Sequence, residues 1–323
     1  YVTAPPGDPN RLFVVERRGV IRVIRNGKRL RTPFLNFAKR VNSIGEERGT
    51  LSMAFAPDYR RSGLFYIAYT ALDGTITVEE YRRSAKNASV ALASSRRIVL
   101  TQPHPHRNHN SGQLQFGPDG KLYIGIGDGG GSGDHSRRAQ NLHTLLGKIL
   151  RIDPREGAAL APRGNPFLAV DKARPEIWAY GFRNPWRVDY DHRLNQLWVT
   201  QNGQDLWEQV YLVRKGENYG WSVTEGSHPF YLERKTDPAP ITNPTAEHHH
   251  SEARSLTGGV VYWGQKWPDL QGAYIYGDYS TGKIWAIKHD GTKVTEHREI
   301  ADTKFQIVGF GVNRAGDLLV IDL

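Results

Sequence analysis

A chain of 323 residues with no cysteine and one methionine can bury a substantial core without disulfide staples. Its 34 glycines, 18 prolines and 38% hydrophobic residues describe a turn-rich globular protein and exclude a disordered one. The net charge of +10 is scattered in pairs such as Arg17 with Arg18 and Arg137 with Arg138, which suits a solvated basic surface or an anionic ligand, and no nucleic-acid-binding motif accompanies it.

The chain opens at Tyr1 with neither an initiator methionine nor an apolar signal core. It reads as a mature or trimmed piece whose targeting segment is gone, with a periplasmic or secreted location expected. No apolar run of about 18 residues or more occurs, so no membrane span is predicted. Short strands follow in order: 12–16, 20–24, then 64–69 paired with 75–78 across Asp73-Gly74, a hairpin signal. Further strands are predicted over 122–126, 197–200, 210–213, 273–276, 284–287 and 318–321. Only the stretch around Ala139 to Leu146 has the spacing of a short helix. Strand pairs recurring about every 50 residues suggest propeller blades, and the length then gives roughly six. The expectation is an all-β six-bladed propeller forming a single domain over residues 1–323, a sandwich or barrel needing fewer strands.

Four segments are polar and glycine-rich where a plain blade needs neither. They are Arg107 to Leu114, Gly125 to Gly131, Tyr180 to Trp186, and Gln201 to Glu208 followed by Gly216 to Trp221. Taken singly, each has an ordinary reading. His109 fits a hydrogen-bonded loop histidine, Arg183 an ion pair, and Asp205 and Glu208 surface acids. Gly127-Asp128-Gly129-Gly130 fits a turn, and no phosphate loop, since no Lys-Ser/Thr follows.

Together they resemble the soluble sugar dehydrogenases that use pyrroloquinoline quinone, the glucose/sorbosone dehydrogenase family. The resemblance runs from near Arg11 to near Val320. It rests on Gly45-Glu46-Glu47-Arg48-Gly49, Ala54 to Tyr59, His109 to Gly120, Gly127-Asp128, Gly181 to Pro185 and Lys215 to Trp221 in one order. It implies a six-bladed propeller that oxidises an aldose sugar at C1 to the lactone, with an external electron acceptor. His109 then falls at the general base, Asp128 at the acid that orients it, and Arg183 at the cation facing the quinone oxygen. Glu47, Asn108 and Asn184 fall at positions lining the cofactor or substrate, Glu47 replacing an amide common there. Gly203 and Gln204 match the pair whose carbonyls bind an active-site Ca2+, and Glu208 with the Tyr219 carbonyl matches a second calcium site.

The match departs in two places. A lysine is expected near Ser280 and an arginine pair near Val308, where they neutralise the cofactor's carboxylates, and both are missing. Lys283, Arg187, Arg254 and Lys304 are the available substitutes. The segments 277–279 and 307–311 are closer to hedgehog-interacting-protein-like and bacterial members, some of which are binding modules. A non-catalytic propeller and a calcium-dependent lactonase are therefore the alternatives. In His248-His249-His250 three consecutive histidines cannot face one ion, so a loop is expected, with His250 the one nearest the mouth.

Overall fold

Alternating runs of β-branched and aromatic residues fold into antiparallel ladders along the whole chain. The computed structural model describes residues 1–8, 10–235, 239–313 and 315–323. The first sheet holds β1 (Val2–Thr3), β2 (Arg11–Glu16), β3 (Val20–Arg25), β4 (Lys28–Arg29) and β5 (Leu35–Asn36). The second holds β6 (Thr50–Phe55), β7 (Leu64–Thr70), β8 (Ile76–Arg83) and β9 (Ala91–Gln102). The third holds β10 (Leu114–Phe116), β11 (Leu122–Ile126), β12 (Lys148–Ile152) and β13 (Ile177–Tyr180). In the fourth, β14 (Arg187–Asp191), β15 (Gln196–Gln201) and β16 (Trp207–Val213) pair in turn. The small ladder of β17 (Thr224–Glu225) and β18 (His228–Pro229) then intervenes before β19 (Ala246–His249) joins β16. The fifth holds β20 (Leu256–Tyr262), β21 (Ala273–Asp278), β22 (Lys283–His289) and β23 (Val294–Asp302). The chain ends in a two-stranded hairpin of β24 (Ile307–Val312) and β25 (Leu318–Asp322).

The all-β propeller is as expected, but the blade number is corrected from six to five. Five sheets reach four or five strands, and the residues after Asp302 supply only the β24–β25 hairpin, which packs against β20 and β1. Dividing the length by a mean spacing hid this, because the other blades take more than an even share. Each strand predicted from sequence is present: β11 keeps the predicted bounds, β8 starts one residue later and runs on to Arg83, and the others are longer by one or more residues. The predicted helix over 139–146 is instead a series of turns. Its carbonyls are drawn away from helical bonding: Ala139 accepts Gly181 N–H, Leu142 accepts Arg174 N–H, and Lys148 Nζ takes those of Arg138, Ala139 and Leu146.

The core lies between blades. Phe13, Ile21, Phe65 and Tyr81 fill the first-to-second interface, and Tyr66, Val78, Ile124 and Leu150 the second-to-third. Ile149, Val199 and Tyr211 join the third blade to the fourth, Trp198, Tyr274 and Trp285 the fourth to the fifth, and Ile275, Ile307 and Phe310 the fifth to the hairpin. A blade packed on both faces buries both sides of its middle strands, so β6, β11, β12 and β15 are buried throughout. Outer β9 alternates with exposed polar residues. Among the described residues no helix is long and apolar enough to cross a membrane.

Candidate active site

One end of the ring collects the polar segments. Glu47 precedes β6, His109 precedes β10 and Arg183 precedes β14. Asp128 follows β11 and Asn202 follows β15, which run antiparallel to β10 and β14, so these turns reach the same end.

At its centre His109 Nδ1 lies 2.7 Å from Asp128 Oδ1, both side chains buried. Asp128 also accepts Trp221 Nε1–H at 2.8 Å on Oδ2 and the Gly130 amide at 2.9 Å on Oδ1. A carboxylate accepts, so Nδ1 carries the hydrogen and the neutral ring presents its lone pair at Nε2. His109 itself sits at φ +61°, a left-handed conformation unusual for a side chain of this kind. Its carbonyl lies 3.0 Å from His104 Nε2, and a Cβ on Gly127 would come within 1.9 Å of that carbonyl oxygen. Only glycine at 127 lets the Asp128 turn come this close to His109.

Arg183 stands over the Trp221 ring at 5.6 Å, and its Nη1 donates to the Asn202 carbonyl at 3.2 Å. Its Nε–H is enclosed with no acceptor among the described residues. Burial lowers its pKa, against the pull of Asp128, Glu208, Glu47 and Glu225. Asn184 accepts Ser111 Oγ–H at 2.7 Å and donates to Glu47 Oε2 at 3.2 Å, and Glu47 Oε2 also accepts the Asn110 amide at 3.0 Å. Asn108 is turned to the Gly131 amide, which donates to its Oδ1 at 3.1 Å. His109, Asp128, Arg183, Asn184 and Glu47 are thus tied into one network, with Asn108 at its edge.

Gly203 and Gln204 occupy a loop whose amides all turn inward. Gly203 N–H donates to Glu208 Oε1 at 3.1 Å, Gln204 N–H to Glu225 Oε1, Asp205 N–H to the same oxygen at 2.7 Å, and Leu206 N–H to Glu225 Oε2 at 3.1 Å. In a trans peptide the carbonyl points opposite to the next residue's N–H. The Gly203 and Gln204 carbonyls therefore both point away from Glu225, side by side, and neither accepts a hydrogen bond among the described residues. Such a pair of neutral oxygens suits Ca2+.

Glu208 is fully buried, and burial raises its pKa against its hydrogen bonds. Its two oxygens accept Gly203 N–H, His250 Nε2 at 3.0 Å, Asn202 Nδ2 at 3.1 Å and Leu256 N–H at 2.9 Å. Four donors use the lone pairs a carboxylate has, so Glu208 as arranged does not fit a second calcium site. The Tyr219 ring is stacked on Phe182 at 4.7 Å and its hydroxyl donates to Glu217 at 2.9 Å. The three histidines separate: His250 faces Glu208, His248 is buried against Tyr276 at 2.8 Å, and His249 is exposed. Of the substitute cations, Lys283 pairs with Glu299 at 2.8 Å on the surface, and Arg254 and Lys304 are exposed. Only Arg187 lies inside the ring.

Three functional neighbours carry no motif of their own. Trp221 was visible only as the end of a glycine-rich run. Glu225 lies in the two-residue strand β17. Lys148 lies in an apolar strand, wholly enclosed beneath the site, and burial lowers its pKa to about 7 against the pull of Asp134 and Asp128. A lone lysine between Gly147 and Ile149 would have been the sequence signal, since a cation in a buried run needs a reason.

The chain is similar to known proteins along most of its length. It is 30% identical over 318 residues to the HIPL2 protein of Arabidopsis thaliana, covering 79% of this chain and 46% of that one. It is 29% identical over 346 residues to the Hedgehog-interacting protein of Mus musculus, covering 97% of this chain and 47% of that one. The chain therefore spans about half the length of these curated relatives. Its fold matches the crystal structure of the soluble aldose sugar dehydrogenase of Escherichia coli in its apo form. That match has a TM-score of 0.81 at 27% identity and covers 98% of this chain and 90% of that one. The family model for glucose/sorbosone dehydrogenases matches residues 3–321, and the chain belongs to that family.

Proposed function

We propose that this chain is a quinoprotein that oxidises an aldose sugar at C1 to the lactone, using pyrroloquinoline quinone and Ca2+ and passing electrons to an external acceptor. The observation that carries the reading is the buried His109–Asp128 pair, 2.7 Å apart, beside the enclosed Arg183 guanidinium. The residues present fit the cofactor: among the described residues Arg183 Nε–H has no acceptor and His109 bonds through Nδ1, leaving Nε2 for a ligand, with Asn184 and Glu47 presenting polar edges around them. Gly203 and Gln204 would hold the calcium.

When bound, the quinone supplies the hydride acceptor for the hydrogen on the sugar's C1. His109 Nε2 takes the proton of the C1 hydroxyl, so that one C–H and one O–H bond break as the C1 carbonyl forms. Asp128 holds the ring in the tautomer with a free Nε2 and stabilises the imidazolium that results. Trp221 and Gly130 fix the carboxylate in turn. The Arg183 cation stabilises negative charge arriving in the mouth, in surroundings where burial strengthens it. The reading carries a periplasmic or secreted location.

The test is dye-linked oxidation of glucose or another aldose after addition of the quinone and calcium. Activity lost in His109→Ala supports the reading, and no saturable quinone uptake at micromolar concentration would sink it. The likeness to Hedgehog-interacting protein favours a second reading, a propeller that binds a protein or carbohydrate without turnover. That reading expects ligand binding to survive His109→Ala. A lactonase would need several side-chain carboxylates around one ion, and no group of three His, Asp or Glu able to hold one stands together among the described residues.

A further inference from the structure

Lys148 opens β12 with no exposed surface, beside the apolar Ile149 and Leu150 of the same strand. An ammonium has three N–H donors and no acceptor. All three are used on backbone carbonyls of one turn: Arg138 at 2.9 Å, Ala139 at 3.0 Å and Leu146 at 2.7 Å. Asp134 grips the same turn by its amides, accepting Arg138 N–H at 2.9 Å on Oδ1 and Ala139 N–H at 2.9 Å on Oδ2. A buried cation thus takes the carbonyls, and a buried carboxylate the amides, of two successive residues. The charges that act on the ammonium are those of Asp134 and Asp128. Burying an ammonium costs stability that an apolar residue in the same place would not. The reason for the lysine lies in what its turn carries.

Two routes lead from this turn to Asp128. The first runs along the backbone. Leu146, whose carbonyl Lys148 holds, is followed by Gly147, and Gly147 N–H donates to the Gly127 carbonyl at 2.8 Å. The Asp128 amide lies in the same peptide plane and donates to the Arg183 carbonyl at 2.8 Å. That plane is held on both edges, and with it the root of the Asp128 side chain. Gly147 sits at φ +69°, and a Cβ there would come within 2.6 Å of Ala139 Cα, so the turn closes on itself only with glycine. The second route runs through side chains. Gln140 follows Ala139, and its Nε2 donates to the Trp221 carbonyl at 2.8 Å. Trp221 Nε1–H donates in turn to Asp128 Oδ2 at 2.8 Å. The segment that Lys148 holds therefore sets both the backbone and one donor of the carboxylate that orients His109.

We propose that Lys148 is a positioning residue for the His109–Asp128 pair, its ammonium holding the turn so that Asp128 meets His109 Nδ1 and the ring keeps one tautomer. That the pair takes a proton from a sugar rests on the reading above; that Lys148 aims the pair does not. The ring nitrogen NMR signals of His109, assigned against His109→Ala, test it on the intact protein with no quinone added. They are recorded at about pH 8, above the ordinary histidine range. The wild type is expected to show a neutral ring with its hydrogen on Nδ1. Lys148→Met keeps an unbranched stem and removes the charge and every donor. It is expected to shift the ratio of the two tautomers about tenfold toward the Nε2–H form, the worth of one charge-assisted hydrogen bond. Lys148→Gln keeps two N–H donors without the charge, and serves if the first variant fails to fold. Val199→Ala cuts the core between the third and fourth blades, so it lowers stability by another route and should leave the ring unchanged. Aldose oxidation, measured alongside with quinone and calcium, should lose kcat by a similar factor in the Lys148 variant with KM unchanged. If the wild type oxidises no aldose, the dehydrogenase reading fails and the tautomer ratio alone decides this one. The inference is overturned if the folded Lys148 variant keeps the wild-type tautomer, or if Val199→Ala shifts it as far.

Discussion

At the scale of single residues, the pair His109 and Asp128 depends on a tautomer. Asp128 accepts three hydrogen bonds, from His109 and Gly130 on Oδ1 and from Trp221 on Oδ2, and only the Trp221 bond survives in an amide whose nitrogen takes the place of Oδ1. Asp128→Asn keeps the volume but can offer an N–H where Nδ1–H now donates. The ring then favours the hydrogen on Nε2, the nitrogen that would accept the sugar's proton in the proposed reaction. Aldose oxidation is expected to fall by about 10²–10⁴-fold, the usual worth of a positioned base, with quinone binding nearly unchanged. Equal losses in quinone affinity and turnover would mean that Asp128 supports the pocket rather than the base. His109, Asp128 and Arg183 were legible in the sequence because each stands in a polar, glycine-rich run that a strand does not need. Lys148 and Glu225 were not, because what makes them matter is enclosure, and enclosure comes from neighbours distant in the chain.

At the scale of elements, the loop from Gly203 to Leu206 is a device for aiming carbonyls. Two buried carboxylates hold four successive amides, and planarity of the peptide sends the carbonyls the other way. A Cβ on Gly203 would come within 1.7 Å of the Trp207 carbonyl oxygen, so the loop folds this tightly only with glycine there. Glu225→Gln turns one acceptor into a donor facing N–H groups. It is expected to cost about 1–3 kcal/mol of stability, as a buried hydrogen bond lost on one side. If Ca2+ binds as proposed, adding it should raise the Tm of the wild type, and that rise should be smaller in the variant. A variant that keeps the full calcium response would show that the carbonyls are aimed by something else. The sequence made Gly203 and Gln204 visible, but not the carboxylate that turns them, since β17 is two residues long and has no pattern to read. The expected helix over 139–146 failed for a related reason: its spacing was helical, while its carbonyls were claimed by Lys148, Arg174 and Gly181.

At the scale of the whole molecule, the ring is tied near its axis as well as between its blades. Asp189 in β14 accepts Gln115 Nε2–H in β10 at 3.3 Å and the Val261 amide in β20 at 2.7 Å, linking three blades. Burial, as the main cause, raises its pKa from 3.8 to about 7. The folded protein then keeps a proton that the unfolded chain gives up between those values. The contribution is complete below the lower value and is lost as pH rises through the upper one, by at most about 1.4 kcal/mol per pH unit. Urea unfolding between pH 4 and pH 7 should show the wild type losing stability relative to Asp189→Asn, and parallel curves would refute the assignment.

Each neighbouring pair from the first blade to the closing hairpin shares a buried apolar cluster, whereas the hairpin meets the first blade through β24 and the half-buried β1, with no such cluster among the described residues. A ring with one dry joint missing behaves like a clasp: it has a preferred place to come undone, and the rest of the circle stays closed while it does. Opening there needs little newly wetted apolar surface, so its free energy lies below that of global unfolding. Amide hydrogen exchange should therefore be fastest, among the strands, in β1 and along β24 and β25, and slowest in β11 and β12. Since Arg187 lies 5.4 Å from the Tyr1 ring and donates to the Val308 carbonyl, 121 residues away along the chain, it reaches both sides of the clasp, and Arg187→Ala should speed exchange there further.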